Sequence, residues 1–447
     1  MDALFCHADP AIPLISSGGR QWSQADFLRE MEAAASVVAA KAGELDGENF
    51  ILLNERHPVR LYSFLLALIR AGYRVLVPNR DFFAGSGAPI SFASQIVTPG
   101  NDSLRVDPNT HFLATDIPSG NVIVFSSGST GTPKGVVHDF DHFLVNARSV
   151  LKTIRLKGHV NLTWLSPYLV SAISHFLCHW MSDSHLIYDD FENLSRLPET
   201  AALHPGLGVM GSPIHITNAV HVLPEGCRPG VFFSSGDAIS RHAVASLLAK
   251  FPATTFYVVY GLAEVAGRFF INPVDAGTDY QGDLGAAIEG YRPTVDGGRM
   301  LVESEHLFHG YVVNGEFRPS AEVHDSGDVV SVRDGRTYMV GRSNDEVKVL
   351  GNKLNLKFVE TRTKEALGTD DLVIVVSANE KLGNLLALVL LRPEHSRLEI
   401  MTRLRAGLDR HELPHLYYAI NEFPFTQTMK IDRKRIAANL NGLKQLL

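Results

Sequence analysis

The stretch VFSSGSTGTPKGVVH, residues 124–138, concentrates groups that can wrap phosphate oxygens. Small or hydroxylated residues run from Ser126 to Thr132, then come Pro133 and Lys134. The hydroxyls of Ser126, Ser127, Ser129 and Thr130 can donate to phosphate. Gly128 and Gly131 allow close backbone approach, and Lys134 supplies charge. A Walker A loop, G-x-x-x-x-G-K-[ST], needs a hydroxyl residue after its lysine and a helix starting there. Pro133 before Lys134 and Gly135 after it break that pattern, which disfavours a P-loop kinase or GTPase. The bland alternative is a Gly/Ser surface loop. A buried strand before it and the Pro-Lys-Gly ending argue against that.

The elements that must position this loop are legible from periodicity. Asn121–Phe125 reads as a buried strand that delivers the chain into the loop. Asp139–Ile154 then has helical spacing, with Asp139 at the N-cap. Arg241–Phe251 reads as a helix, and TTFYVVYG, residues 254–261, as a buried strand ending in a glycine turn. The apolar segment 61–77 is interrupted by Arg70 and Arg74, so it reads as helix, turn and strand rather than a membrane span. This alternation predicts an α/β fold.

Further on, SGDVVSVRDGRTYMV alternates as a hairpin with Asp334-Gly335 at its turn. After residues 340–349 come two strand-like runs, DLVIVVSA and NLLALVLL, and a helical IMTRLRAGLDR. The expected layout is a large multi-subdomain α/β N-terminal part, residues 1–342, and a small mobile α+β C-terminal domain, residues 343–447.

The chain has 447 residues, 45% hydrophobic and 20% charged, with a formal charge of -7. It has no Lys/Arg-rich run, which speaks against a nucleic-acid partner. The opening residues Met1 to Phe5 lack a secretory pattern. Cys6, Cys178 and Cys227 form neither a disulfide framework nor a zinc pattern. A cytoplasmic location is expected.

SSGSTGTPKGV, residues 126–136, resembles the phosphate-binding signature of the acyl-adenylate-forming superfamily: acyl-CoA synthetases, aryl-CoA ligases and peptide-synthetase adenylation domains. Four further segments follow in the family's order. YGLAE (260–264) resembles Y-G-x-T-E, and DSGDVV (325–330) resembles T-G-D-L. GRSNDEVKVLGNKLNLKFVE (341–360) resembles the hinge and the loop after it, and PFTQTMKIDRKRI (424–436) resembles P-x-T-x-x-G-K-x-x-R.

The resemblance implies a reaction in two halves. A carboxylate attacks the α-phosphorus of ATP, giving acyl-AMP and pyrophosphate; a phosphopantetheine thiol then displaces AMP. It implies that Ser127, Gly128, Ser129, Thr130, Gly131 and Lys134 hold the phosphates. Gly236, Asp237, Tyr260 and Gly261 lie around the adenine, and Asp328 and Arg342 serve the ribose and phosphate. Glu264 binds Mg2+, with Thr130 as a second ligand, and Lys430 reaches the α-phosphate from the small domain. Asn344 stands at the hinge, and Gly351 lines the thiol tunnel. Singly, Asp328 has an alternative reading as a turn residue, Glu264 as a helix-start carboxylate, and Lys430 as part of a basic face.

Three positions depart from the pattern. Ala263 replaces a threonine hydroxyl, Asn344 the usual hinge aspartate, and Met429 a glycine. An active enzyme is expected, with an adenylate-binding protein of weak or lost catalysis as the alternative. For the acid, Tyr168, Val170, Ser171, His175 and His179 precede any carboxylate in the segment 164–183, which disfavours an amino acid. With Phe176, Val259, Ala266 and Gly267 they suggest an apolar pocket for an aryl or acyl carboxylate. His175 and His179 lack a third ligand, so a metal site there is disfavoured. Eleven residues follow Ile436; the expected acceptor is CoA or a separate acyl-carrier protein. An amino-acid-activating stand-alone enzyme is the other alternative.

Overall fold

Runs such as FILL (Phe50–Leu53) and GVMG (Gly208–Gly211) are buried at every position, as strands covered on both faces must be. They sit in two large mixed sheets with parallel centres. The computed structural model describes residues 10–78, 90–126, 134–343, 346–379, 383–424 and 431–446.

The elements that carry the site are, in chain order, strands β1 (Val122–Ser126) and β2 (Lys134–His138) and helices α1 (Phe140–Leu151) and α2 (Val170–Met181). Strand β3 (Val231–Ser235), helix α3 (Arg241–Lys250) and strands β4 (Thr255–Leu262), β5 (Gly267–Val274) and β6 (Gly310–Val313) follow. Next come strands β7 (Val323–Arg333), β8 (Arg336–Arg342), β9 (Glu346–Val349) and β10 (Asn352–Asn355), then helix α4 (Leu356–Leu367). Strands β11 (Leu372–Asn379) and β12 (Gly383–Leu391) and helix α5 (Arg397–Gly407) complete the set.

The nine-stranded sheet contains β3 beside β4 in parallel and β4 beside β5 in antiparallel register. The eight-stranded sheet contains β1, β2 and β6. Side chains from both sheets meet in one core through α1, α2 and the helices Gln24–Ala40 and Pro58–Arg70, so these helices are the filling between the sheets. A four-stranded antiparallel sheet holds β7 and β8, whose two-residue turn has positive φ at Asp334 (51°) and Gly335 (73°), the conformation of a twisted hairpin.

Most expected elements appear within a residue or two. Asp139 does occupy the N-cap of α1, but its side chain makes no capping bond. It accepts instead from His309 Nε2 at 3.0 Å, because a neighbouring imidazole outcompetes the helix amides.

After Gly341 the chain forms the β9–β10 hairpin and a second four-stranded sheet built on β11 and β12, with α4 and α5 packed on it. Glu360 of α4 is 1% exposed yet charged. Arg433 grips it at 2.8 Å, Lys364 stands at 3.4 Å and Lys357 at 3.6 Å, and the Ile374 amide donates at 3.2 Å. Burial alone raises its pKa; Lys357, Lys364 and Arg433 reverse that and hold it at about 2, against an ordinary 4.5.

A depressed carboxylate stabilises the fold fully above its unfolded pKa and loses that contribution as pH falls through the folded value. Urea unfolding of the wild type should therefore weaken steadily from pH 4.5 towards 2. Glu360→Gln should cost about 3 kcal/mol at pH 7 and flatten the acid slope. An unchanged slope in that variant would refute the assignment.

Candidate active site

Asp328 on β7 faces Arg342 on β8 in the hairpin register and is 3% exposed. Arg342 Nε donates to its Oδ1 at 2.8 Å, and the Tyr260 hydroxyl, at the end of β4, donates to its Oδ2 at 2.5 Å. The Asp328 amide donates to Ser326 Oγ at 3.1 Å, across a bend where Gly327 takes φ 74°. Burial raises the Asp328 carboxyl, with Arg342 and Tyr260 pulling it down. The same burial and the Asp328 charge push the Tyr260 hydroxyl well up. Tyr260 thus arrives with its hydroxyl committed and its ring near Phe269 and Phe270. The resemblance implied only that Tyr260 lies around the adenine.

Three residues beyond Gly261, Glu264 sits in a single 3-10 turn, Ala263–Val265. Every backbone carbonyl of that turn is held. His138 Nε2 donates to the Ala263 oxygen at 2.8 Å, the Phe308 amide to that of Glu264 at 3.0 Å, and Asn146 Nδ2 to that of Val265 at 3.0 Å. Tyr311 on β6 donates its hydroxyl to Glu264 Oε1 at 2.5 Å, and Lys134 Nζ lies 5.8 Å from the Tyr311 ring centre. Lys134, Glu264, Tyr260, Asp328 and Arg342 therefore converge, and the field of Arg342 reaches both carboxylates. Tyr311 was not foreseen: a tyrosine in HGYVV carries no local signal, and only the β2–β6 pairing brings it beside Lys134.

β1 and β2 form an antiparallel pair, Ser126 opposite Lys134. The chain leaves the glycine-rich loop as a strand, whereas a P-loop would enter a helix. Ser127, Gly128, Ser129, Thr130, Gly131, Asn344 and Lys430 lie outside the described residues.

Asp237 pairs with Lys357 of α4 at 2.7 Å, beside Gly236 at φ 88°. Ser240 to Asp370, and Arg241 to Glu365 at 3.4 Å, tie the same stretch to the region after β10. Gly351 is the tip of the β9–β10 hairpin, with φ 90° after Leu350 at 45°. Among the described residues, the cluster with ligand atoms close enough for a metal is Asp139, His142 and His309. Glu264 is not in it, and two imidazoles suit a transition metal rather than magnesium. A surface hollow of about 470 Å³ beside α3 and Tyr280 holds none of these site residues.

Most of the residues expected to line an apolar acid pocket are buried in the core. Tyr168, Val259 and Ala266 are core members and Val170 packs on them, but His175 meets a buried arginine, Arg268, at the start of β5. His179 is structural: Nδ1 donates to the His175 carbonyl at 2.7 Å and Nε2 accepts from Asn161 at 3.0 Å. A lone charge in the apolar run GRFFIN was the signal that could have revealed Arg268.

A mixed α/β scaffold, a buried carboxylate–arginine pair and a carboxylate on an adjoining turn are an arrangement suited to a nucleotide-using enzyme. The family model described as AMP-binding enzyme matches residues 116–312. D-alanine–D-alanyl carrier protein ligase of Staphylococcus aureus (strain JH9) is 24% identical over 352 residues, 71% of either chain.

The fold is similar to an anthranilate CoA ligase, AuaEII, in complex with anthranoyl-AMP, at TM-score 0.75 and 16% identity, covering 95% of this chain and 93% of that one. It is also similar to ATP-bound MatB of Rhodopseudomonas palustris, at TM-score 0.73 and 18% identity, covering 97% and 98%. Over residues 116–312 the chain is similar to the AMP-binding enzyme family.

Tyr311→Phe removes the donor on Glu264 without changing the ring over which Lys134 sits. Acid-dependent pyrophosphate release should fall roughly ten- to a hundredfold, the worth of a hydrogen bond to a charged group. Unchanged kcat and KM for ATP would show the contact to be idle.

Proposed function

We propose that this chain is an AMP-forming acid–thiol ligase. It joins a carboxylic acid to ATP as acyl-AMP with release of pyrophosphate, then passes the acyl group to a phosphopantetheine thiol. The observation that carries this is the convergence of Lys134, Glu264, Tyr260, Asp328 and Arg342 on one side of the β4–β5 turn.

The first step brings a carboxylate to a polyanion, so placed positive charge and alignment matter more than a strong base. Lys134 faces the phosphates. Asp328 keeps acceptor capacity for ribose hydroxyls, because each oxygen has a second lone pair beyond the Arg342 and Tyr260 bonds. Lys430 is the cation brought to the α-phosphate.

A magnesium ion fits Glu264. Tyr311 occupies Oε1 and leaves Oε2 as a hard oxygen ligand, and one carboxylate beside phosphates is the usual magnesium arrangement. When bound, the ion neutralises phosphate charge. Tyr311 holds the carboxylate in place and the three clamped carbonyls keep its turn from shifting.

A carrier protein is the favoured acceptor, in line with the staphylococcal relatives named for one; CoA is the second reading. An amino acid substrate is disfavoured, because Asp183, the first carboxylate after Trp164, accepts from Gln24 at 3.1 Å in a turn with φ 51°.

The test is pyrophosphate release from ATP and magnesium over aryl, acyl and amino acids, followed by addition of CoA or phosphopantetheinylated carrier protein. Aryl or acyl acids should release pyrophosphate and alanine should not. Lys430→Ala should lower the rate by roughly a hundredfold or more. ATP binding without release for any acid would leave the weak-catalysis alternative standing.

A further inference from the structure

Arg268 is 3% exposed, and no carboxylate pairs with it among the described residues. Its guanidinium donates to His175 Nδ1 and lies 3.1 Å from Cys178 Sγ. Neither partner supplies negative charge. Burial, then Arg268, holds the His175 pKa well below its ordinary value, so the ring is neutral. Burial also raises the Cys178 thiol despite the adjacent cation. Because His175 Nδ1 accepts, its proton sits on Nε2 and that nitrogen is a second donor. The cluster is a buried cation with neutral neighbours, an arrangement that is unfavourable unless an anion or strong acceptor completes it.

Its place in the sheet says what can complete it. Arg268 lies opposite Gly261, on the β4 face that also carries Tyr257 and Val259. Tyr257 stacks on Phe233 at 4.9 Å, and Phe233 meets His175 edge-on at 6.1 Å. At Gly261 a Cβ would meet the Gly267 carbonyl oxygen at 2.0 Å, so only glycine lets β5 start this close to β4. Tyr260, next to it, points to the other face and Asp328. One turn thus separates the Glu264 carboxylate from buried donors packed among aromatic and aliphatic groups. Asn146 fixes the Arg268 backbone, accepting from its amide at 3.2 Å and donating to its carbonyl at 2.7 Å.

We infer that Arg268 and the neutral His175 read an acceptor oxygen at the far end of the acid, so that the substrate is an aryl or short acyl carboxylate bearing a second carboxylate or a hydroxyl. The inference rests on the proposed adenylation and narrows its substrate. Arg268 acts on specificity: its planar fork suits a carboxylate, while a phenolic or aliphatic hydroxyl can take one donor from Arg268 and one from His175.

The experiment compares matched acids: benzoate, 4-hydroxybenzoate and terephthalate, and hexanoate, 6-hydroxyhexanoate and adipate. For the wild type and Arg268→Met, kcat/KM comes from pyrophosphate release and acid binding from calorimetry with a non-hydrolysable ATP analogue present. The wild type should favour an oxygen-bearing member over its unsubstituted partner by roughly ten- to a hundredfold, mainly through KM. In Arg268→Met that ratio should fall towards one while ATP binding persists. Preference for the diacid assigns the anion, and preference for the hydroxy acid assigns the hydroxyl.

Arg268→Lys should retain part of a diacid preference and guards against a Met variant that fails to fold. Absence of turnover with acid binding intact would overturn the adenylation reading alone. A wild type without the preference in either assay, or a preference unchanged in both variants, would overturn the inference.

Discussion

The Asn146 side chain ties the two ends of the turn between β4 and β5 together. Its amide donates to the carbonyls of Val265 and Arg268 and its oxygen accepts from the Arg268 amide, all inside the core. Between these points Ala266 is held at φ 56°, a left-handed conformation costing about 1–2 kcal/mol for a residue with a Cβ. That strain persists only because the surroundings fix it. Gly267 follows at φ 139°, where a Cβ would press on Asn146 and Ser174 at 3.2 Å. This clamp sets where β4 ends and β5 begins. It therefore sets the direction of Glu264 before the turn and of Arg268 after it.

From that turn the site spreads by single contacts to separate sheets. His138 and Tyr311 reach it from the eight-stranded sheet, and Asp328 reaches it through Tyr260 from the β7–β8 sheet. His138 gives Nε2–H to a carbonyl and accepts at Nδ1 from His142, at 3.2 Å, so both rings are neutral donors and acceptors in a chain. Burial holds their pKa values at about 3 and about 4. Neutral imidazoles can fix a backbone without adding charge beside Glu264. The site thus joins a charged half, around Asp328, Arg342 and Glu264, to a neutral supporting half.

Much of this was legible in order along the chain. The glycine after Tyr260, the Ser-Gly-Asp bend and the Asp334-Gly335 turn are local, because turn and close-approach chemistry restricts residue type within a few positions. Periodicity likewise marked α3, β4, β11 and β12, whose buried faces alternate with solvent or lie wholly in the core. The Asp139 bond to His309, the Tyr260 bond to Asp328 and the Asp237 pairing with Lys357 were not legible. Their partners lie 170, 68 and 120 residues away, and a polar side chain's sequence neighbours do not say which distant donor it meets.

The sequence by itself pointed to a class of chemistry: a loop ending in Lys134 suited to phosphate, an α/β scaffold to carry it and, through the resemblance, carboxylates at Glu264 and Asp328. The first two follow from residue type and spacing, which act over a turn or a strand. Only the tertiary structure decided what the apolar segments are packed with. Spacing made 164–183 and 259–267 apolar; packing of α2 against β5 put an arginine and a neutral histidine in their midst. A charge's meaning depends on what is buried with it, and burial is a property of the assembled fold.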